Sequence, residues 1–102
     1  MDTLTVSSSG PAATHLSSCM GEYRRVGGLM AEGRPVWRMG QTGDYFFYTS
    51  NGRWMIGPDY KKISGGMQSE ERGLMDIPLT GWQWSAWKGT WTSDPKLTVV
   101  CE

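Results

Sequence analysis

The chain has 102 residues, and its ten basic residues balance ten acidic ones to a formal net charge of zero. A chain of this length forms one domain with a modest core, and zero net charge argues against a protein held to nucleic acid or to an anionic membrane by its overall field. No apolar run is long enough to span a bilayer, and no signal peptide is visible at the N-terminus. The compartment stays open, with an extracellular location favoured.

Glycine-containing turns separate short apolar segments along the chain, which is typical of an all-β domain. GPAATHLSS is predicted as a loop with at most one helical turn, and the looser stretch from Pro58 to Pro78 as a connection with at most one short strand. GWQWSAWKG and TWTSD are predicted to form a hairpin that turns near Lys88-Gly89. The remaining predicted strands are TLTVSS, GEYRRVGG, RPVWRMG, DYFFYTS, RWMIG and PKLTVVC. The sequence therefore predicts a small antiparallel sandwich or partly closed barrel of about seven or eight short strands, with little helix.

The two ends of the chain resemble each other, since it opens with LTVSS and closes with LTVVC. Two such strands predict that the termini lie close together, in one sheet. That arrangement would also suit a tandem array of similar domains.

The stretch DYFFYTSNGRWMIG carries aromatic and large apolar residues on both sides of a turn. Asn51-Gly52 predicts a two-residue type I′ turn, because both central positions of that turn need positive φ. This turn would pair Tyr48 with Met55, and side-chain alternation then gives two faces. One face would carry Tyr45, Phe47, Thr49, Trp54 and Ile56, and the other Phe46, Tyr48 and Met55. Either the rest of the chain covers both faces, or the Tyr48 face is a partly open platform for a ligand or partner.

Residues able to perform catalysis or to hold a metal are few. His15 is the only histidine, so a histidine base for a nucleophile could come from one position only. A structural zinc usually has four cysteine or histidine ligands, and this chain has one histidine and two cysteines. No phosphate-binding loop is present. The carboxylates stand beside glycine, proline or charged residues, as expected of solvated turns; they are Asp44, Asp59, Glu70, Glu71, Asp76 and Asp94. We therefore expect a protein that is not an enzyme and that uses no metal or other cofactor.

Cys19 and Cys101 leave two alternatives open. A disulfide between them would tie an early segment to the last strand and contribute about 4–5 kcal/mol in the chain-entropy model. Two reduced thiols are the other alternative, because two cysteines do not fix a redox compartment.

Six tryptophans and four tyrosines are more large rings than a chain of this length is expected to enclose. Trp82 and Trp84 would share one face of a strand, and Trp87 would lie on the opposite face. One or two of the four tryptophans in this stretch, which also includes Trp91, are therefore expected to be partly exposed. Exposed rings beside polar turns stack on sugars or anchor protein interfaces. The residues predicted to make such contacts are Tyr48, Trp54, Trp84, Trp87, Trp37 and Arg53.

A basic and aromatic platform for single-stranded nucleic acid is a further possibility, which zero net charge disfavours. It would require the arginines near these rings to share one face; they are Arg24, Arg25, Arg34, Arg38 and Arg53. The expected partners are therefore a carbohydrate or a protein surface, with neither nucleic acid nor membrane insertion.

The order GEYRRVG, GRPVWRM, DYFFYTSNGRWMIG, GWQW and a tryptophan before LTV resembles a small tryptophan-rich β-module that recurs, sometimes in tandem, in multidomain proteins of invertebrates and protists. The pattern of that module runs NGRPVY, YxYY, WxIG, WxVW and a further tryptophan. The resemblance covers residues 21–100, with Glu32 in place of asparagine and Trp37 in place of tyrosine. It implies an accessory, non-catalytic domain and attaches no ligand to it.

The leading hypothesis is thus a non-catalytic module that binds a carbohydrate or a protein surface through exposed tryptophan and tyrosine. The alternative is a structural subunit that docks onto a larger complex, with its aromatic residues as the core of the interface.

Overall fold

The computed structural model describes residues 3–40, 43–63, 65–85 and 90–101. Over these residues nine antiparallel strands form one sheet that curls into a nearly closed barrel, as the all-β prediction expected. The strands are β1 (Thr3–Ser8), β2 (Gly21–Ala31), β3 (Arg34–Arg38), β4 (Tyr45–Tyr48), β5 (Trp54–Gly57), β6 (Met67–Ser69), β7 (Trp82–Trp84), β8 (Thr92–Asp94) and β9 (Leu97–Cys101). The helical part consists of α1 (Pro11–His15) and a 3-10 turn (Ser17–Cys19). No helix in these ranges is both long and apolar enough to cross a membrane.

The strands follow one another around the barrel from β1 to β8, and β9 returns to pair with β1. The pairing runs from Leu4 opposite Cys101 to Ser8 opposite Leu97, so the prediction that the two terminal strands share a sheet is confirmed. The loop after β6 bonds to β9 and to β7: the Val99 N–H donates to the Leu79 carbonyl at 2.9 Å, and the Trp82 indole donates to the Pro78 carbonyl at 2.9 Å. This loop thus joins strands that do not pair with each other.

A buried carboxylate holds the corner between β8 and β9. The two oxygens of Asp94 accept hydrogen bonds from the Ser8 hydroxyl at 2.7 Å, the Ala12 N–H at 3.1 Å and the Lys96 N–H at 3.0 Å. The expectation of a solvated turn residue is wrong for Asp94, which is fully buried. Its hydrogen bonds link β1, α1 and the last turn, and these partners replace water around the carboxylate. Gly10 lies so close that a Cβ there would come within 2.4 Å of the Asp94 carboxylate.

The interior of the barrel is built around aromatic rings. Phe46 contacts four other buried rings, with centroid distances of 5.4–6.1 Å, and most of these contacts are edge-on or tilted, as aromatic pairs prefer. The four partners are Tyr23, Trp37, Trp54 and Trp82. Aliphatic side chains of β1 and β9 complete this interior cluster.

A second apolar cluster lies on the outer side of the sheet. Ala31, Val36, Phe47 and Met55 form its buried part, and Tyr60 packs against it from the loop that follows β5. Both faces of the β4–β5 hairpin therefore carry buried residues, as the first of the two interpretations expected, whereas Tyr45 and Tyr48 are half-buried.

The predicted register of this hairpin is wrong by one residue. Tyr48 pairs with Trp54 rather than with Met55, because the connection is a loop of three residues, Ser50 to Gly52. The Gly52 N–H donates to the Thr49 carbonyl at 3.0 Å and Gly52 has φ +86°, as in a type I turn followed by a left-handed glycine. The shift moves Trp54 to the interior with Phe46 and Met55 to the outer face with Phe47.

Candidate functional site: a groove over β5 and β6

The floor of the site comes from one cross-strand pair, Met55 on β5 and Gln68 on β6. Their neighbours in the two strands, Ile56 and Met67, belong to the interior cluster. Because side chains alternate across a sheet, Met55 and Gln68 point to the outer face. A groove of about 830 Å³ lies over them. Its lining includes residues before and after β5, so the groove follows the whole strand; they are Asn51 and Arg53 on one side, and Pro58 and Ile63 on the other.

Gln68 is the most unusual residue of the groove. Its side chain is only 6% exposed, and within the described part of the chain its amide makes no hydrogen bond. The buried side-chain nitrogen that lacks a partner in the described part of the chain is Trp84 Nε1, so the amide of Gln68 is not fully cut off from solvent. Because Gln68 lines the groove, a bound molecule could supply the missing partners.

Two arginines lie at the end of the groove where β5 begins. Nη1 of Arg53 donates to the Ser69 carbonyl at 2.7 Å and to the Glu70 carbonyl at 3.1 Å, which fixes the guanidinium. Ser69 is itself held, because its hydroxyl accepts from the Trp54 N–H at 3.1 Å and donates to the Glu71 carbonyl at 2.9 Å. Arg72 is exposed and has no ion pair or hydrogen bond among the described residues.

Apolar surface lies beside these polar groups. Trp91, just before β8, is half-buried and lines the groove, and so does the exposed Ile63. An indole that is partly open to solvent offers a flat face to a ligand at little cost in entropy. The groove therefore combines a flat ring, an amide and two guanidinium groups.

The opposite end of the groove contains a thiol that is chemically quiet. Cys19 Sγ donates to Asp44 Oδ2 at 2.9 Å, and burial, reinforced by this carboxylate, raises the pKa of Cys19 to about 12. The Tyr23 hydroxyl donates to the Cys19 carbonyl at 2.7 Å, and burial also raises the pKa of Tyr23. A thiol that keeps its proton is a poor nucleophile. The described residues contain no group of three or more potential metal ligands.

The disulfide alternative is not realised. Cys19 is a buried free thiol in the 3-10 turn, and Cys101 is a half-buried free thiol on β9, opposite Leu4. Each instead packs with the interior cluster as a small apolar side chain.

The predicted contact residues are dispersed, and of those that the structure describes only Arg53 lines the groove. Trp37 and Trp54 are 4% and 2% exposed, so the expectation of solvent-facing rings is wrong for both. The register shift turns Trp54 inward, and Trp37 pairs with the interior residue Phe46. Tyr48 is partly covered by the guanidinium of Arg34, which lies 4.0 Å from the ring centroid.

Two other predicted residues are tryptophans of the second aromatic stretch. Trp84 is half-buried and stacks on His15, with ring centroids 4.8 Å apart, outside the lining of the groove. Trp87 lies outside the described residues. Of the three tryptophans of this stretch that the structure describes, Trp82 is buried, whereas Trp84 and Trp91 are half-buried.

The five arginines proposed for a nucleic-acid platform do not share one face. Arg24 and Arg38 pair across β2 and β3, next to inward-facing Tyr23 and Trp37 and therefore on the outer side of the sheet. Two others, Arg25 and Arg34, line a separate cavity of about 210 Å³, and Arg53 lines the groove.

Sequence reasoning missed Gln68 and Arg72 as site residues. Both lie in the stretch that was interpreted as a loose connection, and the strand that orients Gln68 has only three residues. The alternation of buried Met67 with an outward Gln68 is too short a pattern to identify a strand. Trp91 was recognised as one of several tryptophans, without a sign of which would meet a groove.

Comparison with known proteins adds no assignment: no family model, curated protein or solved structure matches this chain.

Proposed function

We propose that this protein is a non-catalytic carbohydrate-binding module whose ligand lies in the groove over β5 and β6. The observation that carries the proposal is Gln68, a side chain that is 6% exposed and makes no hydrogen bond to the described residues at the floor of an open groove. An amide offers two donors and one acceptor oxygen, which matches hydroxyl groups that donate and accept at once.

The rest of the lining supports the same ligand. Sugar rings have apolar faces made of C–H groups, and half-buried Trp91 offers a flat apolar surface for such a face. Arg53 is held in place by two backbone carbonyls, so it can donate to a ligand with little further loss of entropy. A volume of about 830 Å³ is within the usual range for sites that bind small ligands.

The test is a panel of polysaccharides and oligosaccharides, with binding followed by tryptophan fluorescence and calorimetry. We expect Gln68→Leu to remain folded and to weaken binding by about tenfold or more, since losing one such hydrogen-bonding group costs about 1.4 kcal/mol or more. The matched control is Gln83→Leu, because Gln83 is opposite Gln68 on β7 but does not line the groove. A module that binds no glycan, or a Gln68→Leu variant that binds as tightly as the original protein, would contradict the proposal.

A second candidate function, an assembly subunit, is favoured by the loop after β6. Met75 and Leu79 on this loop are 82% and 53% exposed, and such side chains are common at the centre of protein interfaces. Light scattering on the same sample separates the two candidates. A binding module stays monomeric and binds glycan, whereas an assembly subunit associates through this loop and ignores glycans.

A further inference from the structure

We propose that the ligand of the groove is an acidic carbohydrate, with a carboxylate held by Arg53 and Arg72. This inference rests on the proposed function and specifies the charge of the ligand. It begins from the position of the two guanidinium groups, which line the same end of the groove near the start of β5.

Arg72 is a cation that has no partner in the described part of the chain. Its side chain makes no ion pair or hydrogen bond within the described ranges. The ion pair found in these ranges joins Arg24 to Glu22 at 2.7 Å. Arg53 uses Nη1 for the two backbone carbonyls, and its Nε and Nη2 have no partner among the described residues. Both side chains therefore have donors available to a ligand.

The acidic groups near the two arginines do not line the groove and form no ion pair with Arg53 or Arg72 among the described residues. The carboxylate of Glu70 accepts a hydrogen bond from the Ser93 hydroxyl on β8, and neither Glu70 nor Glu71 lines the groove. Asp44 is the carboxylate of the lining and lies at the other end, where it accepts the thiol proton of Cys19. Among the lining side chains, the two cations therefore lie at one end of the groove and the carboxylate at the other, with apolar and neutral polar side chains between them.

The planar guanidinium matches the geometry of a carboxylate, with which it forms two parallel hydrogen bonds. A uronic acid provides this carboxylate on a ring that also carries hydroxyls for Gln68 and an apolar face for Trp91. A single-stranded nucleic acid would instead require cations along the whole path of its backbone. The groove has them at one end only, which favours the uronic acid.

The experiment compares each of several uronate polymers, such as polygalacturonate, with its fully methyl-esterified form. Esterification removes the charge and keeps the rings and the hydroxyls. We expect the acidic form to bind about tenfold more tightly or better, since hydrogen bonds to charged groups contribute about 1.5–3 kcal/mol. Added salt should reduce this difference.

Arg72→Gln should remove the preference for the acidic form, and because Arg72 is exposed the variant should fold normally. Arg24→Gln is the matched control, since it removes the same charge from an arginine that does not line the groove, and it should keep the preference. Dextran sulfate and oligothymidylate separate a carboxylate site from a general affinity for polyanions.

The possible failures are distinguishable. If the ester binds as tightly as the acid, or if only neutral glycans bind, the inference is overturned and the proposed function stands. Equal binding of dextran sulfate or oligothymidylate also overturns it, because the groove would then recognise charge alone. If no glycan binds at all, the proposed function fails with it.

Discussion

The two faces of β4, β5 and β6 differ in how completely their groups are satisfied. The inner face contributes Phe46 and Trp54 to a closed cluster, and even the Trp54 indole finds the Leu74 carbonyl at 3.3 Å. The outer face buries Phe47 and Met55 but leaves the amide of Gln68 without a hydrogen bond to any residue that the structure describes. Because side chains alternate between the two faces of these strands, the inner face packs the core and the outer face is the one proposed to bind a ligand. A protein whose stability depended only on the inner face could change its ligand without losing its fold.

The largest expected effect would come from the centre of the interior cluster. Phe46→Ala removes a ring that contacts four others and should lower the free energy of unfolding by about 3–5 kcal/mol, as measured by urea denaturation. Phe47→Ala should cost less, because the outer cluster is covered partly by a loop that can settle into the space. Gln68→Leu should change stability by less than about 0.5 kcal/mol or raise it, because an apolar side chain replaces an unpaired amide. Equal losses for the three variants would abolish the distinction between the faces.

An intermediate effect is expected at alkaline pH, where Cys19 connects the groove to the interior cluster. The folded protein keeps the thiol proton up to a pKa of about 12, whereas the unfolded chain releases it near 9.0. The contribution of this thiol to stability is therefore complete below pH 9.0 and is lost as the pH rises toward 12. Tyr23, whose pKa is also raised by burial, acts in the same direction.

The measurement is urea denaturation of the original protein and of Cys19→Ala across this pH range. The difference in unfolding free energy between the two should narrow as the pH rises, because only the original protein carries the buried thiol. Cys101→Ala is the control and should show a smaller change, since Cys101 is only half-buried. A difference that is constant with pH would show that the thiol is not shielded from solvent.

The smallest expected effect lies at the β2–β3 turn, whose residues do not line the groove. Ala31 pairs with Arg34, and the two residues between them, Glu32 and Gly33, have φ of +51° and +77°, as in a type I′ turn. Asparagine tolerates positive φ better than glutamate, so Glu32→Asn should raise the free energy of unfolding by about 0.5–1 kcal/mol. Glu32→Gln, which removes the charge but keeps the longer side chain, should give no such gain. Thermal denaturation of both variants measures the difference, and glycan binding should be the same in each.

Local patterns in the sequence were sufficient to predict the class of fold. Alternating apolar residues between glycine turns located most strands, and the similar ends of the chain predicted the β1–β9 pair. The ninth strand, β6, is the one short strand that the prediction allowed within the looser stretch from Pro58 to Pro78. Three residues are too few for a periodic signal, so pairing with β5 and β7, rather than propensity, explains this strand.

The β4–β5 hairpin shows why the sequence alone did not predict the pairing register of the two strands. Asn51-Gly52 suits a two-residue turn and also the end of a three-residue loop, because both need a glycine with positive φ. The second arrangement is adopted here, and in it the Thr49 hydroxyl donates to the Arg53 carbonyl at 2.8 Å and both Trp54 and Ile56 enter the barrel. A shift of one residue exchanged the faces and with them the roles of Trp54 and Met55.

The sequence by itself determined that this chain folds as an antiparallel β-domain, because alternation and turn preferences act between residues close along the chain. Only the tertiary structure decided which rings are enclosed, that the two thiols stay apart, and that Arg53, Gln68 and Trp91 line one groove. These residues are far apart along the chain, and they become neighbours only when strand pairing and barrel closure set their positions.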